Sequence, residues 1–217
     1  MSIKTYSRKK DGDTYLSKNF KASEFASKDG ADAFYVDSKL VSFLQKIRDK
    51  FGAAVTINSG YRTAAHNKAV GGAKNSYHTK GMAADIVVKG VASKRVAQYA
   101  EAIGANGVGW YESQGFTHVD TRTTQYFWKD KDGNSRKTFS DCPYTEPSSN
   151  LSMGSKGNGV KWLQWHLNKL GYKHIAIDGV FGAQTKLAVK DFQTKCDLVS
   201  DGIVGINTRK SLKIEVI

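Results

Sequence analysis

Ser76-Tyr-His-Thr-Lys-Gly-Met-Ala-Ala-Asp85 runs from a polar turn into an apolar strand and carries a histidine and a carboxylate. His78 and Asp85 lie seven positions apart, so we expect a loop and a strand to converge around Gly81, with His118 joining them from a neighbouring strand. Three N/O ligands leave the fourth corner of a zinc tetrahedron open for water, as in hydrolytic sites. By spacing alone, a loop histidine, a strand-end cap and a core histidine explain the pattern equally well.

The flanking sequence predicts helices mixed with short strands. Apolar residues at helical spacing predict a helix from Leu40 to Phe51, with Asp37 or Ser38 as its cap and Gly52 at its end. A short helix is expected near Phe20 and Phe25, a longer one at 93–103, strands at 54–57, 85–88 and 116–121, and a closing hairpin at 126–134. The predicted fold is an α+β catalytic domain whose small antiparallel sheet carries the zinc site, followed by a small all-α three-helix domain.

The domain boundary is predicted where both prolines of the chain, Pro143 and Pro147, occur within five residues. Proline, serine and asparagine crowded together without apolar periodicity are typical of an extended connector. We therefore predict a catalytic domain at residues 1–141, a linker at 142–150 and a second domain at 151–217.

The second domain contains an internal repeat. Asp178-Gly-Val-Phe-Gly-Ala-Gln-Thr185 recurs 23 residues later as Asp201-Gly-Ile-Val-Gly-Ile-Asn-Thr208. Each copy is a glycine-punctuated loop that ends in a threonine suited to capping a helix. With an apolar stripe from Val160 to Leu170 before them, the copies predict a three-helix unit.

The composition of the chain limits the classes of partner that we expect it to bind. The chain of 217 residues has a formal net charge of +13, and both of its halves are basic. This charge favours a polyanionic partner such as an anionic wall polymer, although a solvated lysine-rich surface explains it equally well. No nucleic-acid recognition motif accompanies the charge, so we expect no nucleic-acid partner.

No apolar run is long enough to cross a bilayer. The two separated cysteines, Cys142 and Cys196, are typical of free thiols in a reducing compartment.

Further motifs surround the candidate ligands over about residues 15–125. They are Ser59-Gly-Tyr-Arg62, Asn67, Gly71-Gly72, Ser76-Tyr-His78, Gly81-Met-Ala-Ala-Asp85-Ile86 and Phe116-Thr-His-Val-Asp120. In this order they resemble the zinc D-Ala-D-Ala carboxypeptidase and L-alanyl-D-glutamate peptidase family, which cuts bacterial peptidoglycan. The resemblance implies that His78, Asp85 and His118 bind Zn²⁺.

The resemblance also implies substrate-binding roles for Arg62 and Ser76. A guanidinium offers a planar two-pronged grip on a carboxylate, and the stem peptides of peptidoglycan carry free carboxylates. An ordinary ion pair is the alternative for Arg62.

Two carboxylates are candidates for the general base. Trp110-Tyr-Glu-Ser113 resembles the hedgehog-type branch of the fold, in which a glutamate six residues before the last ligand lies over the metal, and this points to Glu112. Asp120 is the rival, because it shares a strand face with His118. Of these two roles, we expect Asp120 to orient a ligand histidine.

The tail resembles the three-helix peptidoglycan-binding domain over about residues 151–213, through Gly154–Val160, Asp178–Gly182 and Asp201–Gly205. Tethering such a wall binder to a hydrolase raises the local enzyme concentration at an insoluble substrate. The combination resembles phage endolysins. The start of the chain lacks an apolar secretory signal, so we expect a protein held in the cytoplasm until it is released to the wall.

Two functions therefore follow from the sequence. The first is a zinc peptidase of peptidoglycan, of the D-Ala-D-Ala carboxypeptidase or L-Ala-D-Glu endopeptidase type. The alternative is a non-catalytic cell-wall-binding protein with a structural zinc. The sequence leaves open the bond that is cut and the oligomeric state.

Overall fold

A computed structural model describes residues 2–130 and 136–217. The chain divides into two compact units, Met1–Phe139 and Ser140–Ile217, which we call the N-terminal and C-terminal units. The predicted turn at 131–134 lies outside the described residues. The extended connector expected at 142–150 has no helix in the structure, and its assignment as a linker stays a prediction. None of the helices within the described ranges is long and apolar enough to cross a membrane.

The N-terminal unit contains both strands and helices, as predicted. Its strands are β1 (Ile3–Ser7), β2 (Tyr15–Ser17), β3 (Phe20–Lys21), β4 (Ala33–Asp37), β5 (Val55–Ser59), β6 (Ala83–Val88), β7 (Gly107–Tyr111), β8 (Phe116–Asp120) and β9 (Tyr126–Lys129). Its helices are α1 (Arg8–Asp11), α2 (Ser38–Phe51), α3 (Ala64–Ala69) and α4 (Ser93–Ala102), with 3-10 helices at Ala22–Phe25 and Tyr77–Lys80.

A five-stranded sheet in the order β5-β6-β8-β7-β9 forms the centre of this unit. The first four strands pair antiparallel, which confirms the predicted small antiparallel sheet. The outer strand β9, expected near Tyr126, pairs parallel with β7. Phe127 of β9 also forms an antiparallel bridge with Arg136, and the closing hairpin stays a prediction because its turn lies outside the described residues. The order places β6 and β8, the two strands that carry predicted ligands, side by side.

Helix α2 confirms the clearest periodicity in the sequence. The Asp37 carboxylate caps it by accepting from the Lys39 N–H, and Gly52 ends it in the left-handed region at φ 58°. Leu40, Leu44 and Ile47 lie on its buried face. Helix α4 packs on the sheet, where the Thr117 hydroxyl of β8 donates to the Ser93 carbonyl.

The C-terminal unit is all-helical, with α5 (Asn158–Lys169), α6 (Ala183–Lys195) and α7 (Ile206–Glu215). Its core consists of residues from all three helices and from the loops between them: Leu151, Val160, Trp162, Leu163, Leu167, Ile175, Phe181, Ala188, Val189, Phe192, Val204 and Leu212. This arrangement confirms the predicted three-helix domain.

Each repeat loop of this unit is held by one buried glutamine. Gln164 Nε2 donates to Asp178 Oδ1 at 2.7 Å, and its Oε1 accepts from the Gly179 N–H at 2.8 Å. In the second copy, Gln193 Nε2 donates to Asp201 Oδ1 at 3.0 Å, and its Oε1 accepts from the Gly202 N–H at 2.9 Å. The sequence repeat is therefore also a repeat of hydrogen bonds.

Candidate metal centre

His78 lies in the 3-10 helix Tyr77–Lys80, just before β6. The Ser76 hydroxyl caps this turn by accepting from the His78 N–H at 3.3 Å. Gly81 ends the turn at φ 69°, and a Cβ at this position would lie 2.3 Å from the Tyr35 carbonyl oxygen. Glycine is therefore required here by both backbone conformation and space. The prediction that Gly81 permits the turn between the two ligands is confirmed.

Asp85 and His118 lie side by side on adjacent strands, because β6 and β8 pair them directly. Residues in register on adjacent strands present their side chains on the same face. His118 Nδ1 lies 2.8 Å from Asp85 Oδ1. His78 Nε2 lies 3.2 Å from His118 Nδ1 and 3.3 Å from Asp85 Oδ1. The structure therefore brings the three predicted ligands together.

Hydrogen bonds from the outer ring nitrogens orient both histidines. His78 Nδ1–H donates to the Gly60 carbonyl at 2.7 Å, so Nε2 presents a lone pair. His118 Nε2–H donates to Asp120 Oδ2 at 3.0 Å, so Nδ1 is the nitrogen that faces the other two residues. Without a metal ion, a proton on His118 Nδ1 bridges to Asp85 Oδ1 at 2.8 Å; a bound cation would replace this proton and take both inner nitrogens as ligands.

The donor set fits zinc. Two imidazole nitrogens and one carboxylate oxygen are the ligand types of catalytic zinc sites, and bonds of about 2.0 Å place tetrahedral ligand atoms about 3.3 Å apart. Among the described residues, this group has its donor atoms within 4.8 Å of one another. Hydrogen bonds from the outer ring nitrogens to a carbonyl and a carboxylate are typical of metal-binding histidines.

Burial and pairing shift the pKa values of these groups in different directions. Burial lowers the pKa of His78, more than the neighbouring Asp85 carboxylate raises it. Burial also opposes a charged His118, but hydrogen bonds to Asp120 and Asp85 raise the pKa of His118 to about 9. For Asp85, burial is outweighed by hydrogen bonds from the two histidines, which hold its pKa well below the usual range. The carboxylate ligand is thus ionised at neutral pH.

Arg62 holds the metal-ligand carboxylate. Its Nη2 donates to Asp85 Oδ2 at 2.6 Å, and its Nε donates to Ser59 Oγ at 2.7 Å. The guanidinium therefore occupies the Asp85 oxygen that faces away from the histidines. The sequence pattern did not predict Asp85 as the partner of an Arg62 ion pair, and the substrate-binding role of Arg62 stays a prediction. The same applies to Ser76, whose observed contact is the cap on His78.

Asp120 is fully buried; its Oδ2 accepts from both His118 Nε2 and Arg122 Nη2, and its Oδ1 accepts from Arg122 Nε. Burial opposes its charge, yet these partners hold the pKa of Asp120 below the usual range. A carboxylate engaged in this way orients an imidazole rather than accepting a proton from solvent. Of the two roles considered for Asp120, the geometry therefore favours orientation of His118.

The structure does not bring Glu112 to the metal-ligand group. Its Oε2 pairs with Lys129 Nζ at 2.5 Å, and its side chain is 57 % exposed. Position 112 follows the last residue of β7, Tyr111, whose side chain does line the cleft. The predicted general base thus lies outside the site, because the chain turns away from the cleft at the end of β7.

The ligand group opens on a cleft of about 700 Å³. One wall is the segment from Val70 to Ser76, and the other is aromatic. The lining residues with aromatic rings are Tyr77, Tyr111, Phe116, Tyr126 and Trp128. Tyr111 stacks on Phe116 with centroids 4.2 Å apart, and Trp128 lies 5.1 Å from the His118 ring. The arrangement suits an extended organic substrate beside a Lewis acid.

Comparison with known families agrees with this geometry. Residues 15–120 match the family described as Peptidase M15, and the match includes all three ligands. A second region, residues 156–212, matches the family described as putative peptidoglycan binding domain.

Curated relatives are similar to this chain over part of their length. It is 33 % identical over 99 residues to the peptidoglycan L,D-endopeptidase MepK of Escherichia coli K12, covering 42 % of this chain and 54 % of the relative. A probable MepK of Haemophilus influenzae is 37 % identical over 94 residues, covering 40 % and 50 %. The zinc D-Ala-D-Ala carboxypeptidase of Streptomyces albus G is 45 % identical over 62 residues, covering 27 % and 24 %. The chain thus spans about half the length of the first relatives.

Proposed function

We propose that this protein is a zinc-dependent peptidase that hydrolyses stem-peptide bonds of bacterial peptidoglycan, while its C-terminal domain binds the wall. The observation that carries the proposal is the convergence of three potential ligand atoms, from His78, Asp85 and His118, at residues that line an open cleft. A structural zinc site is closed by four protein ligands, whereas three ligands in a cleft leave room for substrate and water.

Each residue of the site has a distinct task. The chemistry supplied by bound zinc is polarisation of the scissile carbonyl and a lowered pKa of the attacking water. His78 and His118 are held as neutral donors by the Gly60 carbonyl and by Asp120. Arg62 keeps one oxygen of Asp85 engaged and leaves the other for the metal. Among the described residues that line the cleft, Asp85 is the one that carries a carboxylate.

The relatives favour one class of bond. The longer matches, of 94 and 99 residues, are to proteins named as L,D-endopeptidases, whereas the match to the D-Ala-D-Ala carboxypeptidase covers 62 residues. We therefore propose that the protein cleaves within the stem peptide as an endopeptidase, in preference to removing a terminal D-Ala.

We propose that the C-terminal domain binds the wall and that the positive charge of the chain contributes to this binding. A net charge of +13 favours retention on phosphate-bearing wall polymers through a salt-sensitive attraction. Storage in the cytoplasm before release to the wall stays a prediction.

The test is digestion of purified peptidoglycan. The protein is expected to release peptides with new amino termini, and a chelator should abolish the release until zinc is restored. Mass analysis of the muropeptides then identifies the bond. A chelator-insensitive digestion contradicts the zinc mechanism, and wall binding with no new amino termini supports a wall-binding protein with a structural zinc.

A further inference from the structure

Arg122 follows the β8 strand by two residues and lines the cleft. Its Nε donates to Asp120 Oδ1 at 2.8 Å, and its Nη2 donates to Asp120 Oδ2 at 2.5 Å. The Arg122 backbone N–H adds a third bond to Asp120 Oδ1 at 3.0 Å. A two-pronged grip of this kind fixes the plane of a carboxylate, because the fork and the carboxylate are both rigid.

Asp120 has no freedom to reorient once it is gripped. It is fully buried, and a Cβ at Gly107 on the paired strand would lie 2.0 Å from its Oδ1. The glycine thus provides the space that the carboxylate occupies. The oxygen held by Arg122 Nη2, Oδ2, is also the oxygen that accepts from His118 Nε2 at 3.0 Å. Through this oxygen, the Arg122 contact determines where the His118 ring can hydrogen-bond.

Arg122 also contacts the segment that carries the other histidine. Its guanidinium lies 4.6 Å from the ring centroid of Tyr77, the residue directly before His78. The rings of Tyr126 and Trp128, each 5.4 Å from the guanidinium, hold it from the side of β9. Stacking against aromatic faces restrains a planar cation in a way that a flexible ammonium group does not match. Arg122 is therefore restrained both by Asp120 and by three rings of the cleft.

We infer that Arg122 is a positioning residue of the metal centre. By fixing Asp120, it holds His118 with Nε2 protonated and Nδ1 directed at His78 and Asp85, and it thereby raises the affinity of the site for zinc. The inference rests on the proposed zinc function, and it concerns metal affinity rather than turnover. Loss of a group that orients a metal ligand typically lowers metal affinity by about 10- to 100-fold.

The experiment measures the zinc Kd of the full chain by competition with a chromophoric chelator. Arg122→Ala is expected to weaken zinc binding by about 10- to 100-fold. Arg122→Lys keeps the charge but loses the fork, so it should recover only part of the affinity. Added guanidinium ion should strengthen zinc binding by Arg122→Ala and leave the wild type unchanged, because Arg122 lies at the cleft and the ion can refill its place.

Lys80→Ala is the matched control. Lys80 Nζ lies 4.9 Å from the centroid of the same Tyr77 ring, so this variant also removes a cation that contacts this ring. We expect its zinc Kd to equal that of the wild type. Wild-type affinity in both Arg122→Ala and Arg122→Lys overturns the inference, as does a loss of affinity in Lys80→Ala of the same size. If Arg122→Ala does not fold, Arg122→Lys with the wild-type Kd overturns it alone. Absence of zinc binding by the wild type overturns the proposed function as well.

Discussion

The two units treat their buried polar groups in opposite ways. In the C-terminal unit, the amides of Gln164 and Gln193 are buried, and each both donates and accepts within its own loop. In the N-terminal unit, the inner nitrogens of His78 and His118 are buried against each other and against Asp85, so three potential metal-binding atoms converge. Satisfied polar groups specify a fold, whereas converging ligand atoms offer a site to a partner from outside the chain.

The same contrast separates two buried histidines. His166 lies against the Trp162 ring, with centroids 4.0 Å apart, and its Nδ1 bonds the Trp162 carbonyl within its own helix. Burial lowers the pKa of His166 to about 4. His118 is also buried, yet hydrogen bonds to carboxylate partners raise the pKa of His118 to about 9. Burial alone therefore does not mark a functional histidine; the chemistry of its partners does.

Removing one of the converging ligand atoms should have the largest effect. His118→Ala is expected to lower peptidoglycan hydrolysis by about a thousandfold or more, because a bound metal supplies several kcal/mol of transition-state stabilisation. Zinc content and the rate of release of new amino termini measure this. His174→Ala, at an exposed histidine of the C-terminal unit, is the control and should retain both. Full activity in His118→Ala would show that the converging ligand atoms have no catalytic role.

A fall in pH should destabilise the C-terminal unit through His166. Because the pKa of His166 is about 4 in the folded chain and 6.5 when unperturbed, the unfolded state binds a proton between these values and the folded state does not. The free energy of unfolding of the C-terminal unit should therefore fall as pH decreases from 6.5 to 4, by about 3 kcal/mol at most, and be insensitive to His166 above this range.

Urea unfolding monitored by tryptophan fluorescence across this range measures the effect. His166→Gln removes the titrating group and should flatten the pH dependence of the free energy of unfolding. An NMR titration of the folded protein should place the His166 midpoint near 4. A midpoint near the ordinary histidine value would contradict the structural role given to this residue.

Gln164 and Gln193 allow a test of the C-terminal unit, in which the buried polar groups are hydrogen-bonded within the chain. Gln164→Ala leaves the Gly179 N–H without its acceptor and removes one of the two donors to Asp178 Oδ1, and an unpaired buried donor costs about 1–3 kcal/mol. Gln193→Ala should cost a similar amount, because its bonds repeat those of Gln164. Gln184→Ala, at an exposed position of α6, should leave the free energy of unfolding unchanged. Cleavage of soluble muropeptides should be unaffected by all three, provided that the variants remain folded.

Local patterns predicted the elements that depend on local chemistry. The apolar spacing of α2, the Asp37 cap and Gly52 correspond to observed contacts, and the three ligands lie together. Strand β7 was missed because glycines at 107 and 109 have low strand propensity. These glycines are required by distant side chains, since a Cβ at Gly107 would overlap Asp120 and one at Gly109 would lie 2.4 Å from Trp128.

Long-range partners account for what the sequence did not reveal at the site. Arg62 was expected to bind substrate, but it lies against Asp85, which is 23 positions later in the chain. Arg122 carried no motif, and its role is visible only where Asp120 and the cleft aromatics surround it. Sequence spacing identifies candidate ligands through their residue types, whereas the groups that orient those ligands depend on tertiary register.

The smallest expected effect concerns Glu112, which the sequence suggested as the general base. Because its carboxylate is exposed and paired with Lys129 outside the cleft, Glu112→Gln should leave kcat and zinc content close to those of the wild type. Its surface ion pair contributes roughly 0–1 kcal/mol, so the free energy of unfolding should change little. Lys129→Gln, which breaks the same pair from the other side, is the matched variant and should behave alike. A large fall in kcat in Glu112→Gln with zinc retained, and none in Lys129→Gln, would instead mean that the end of β7 moves over the metal centre when substrate binds.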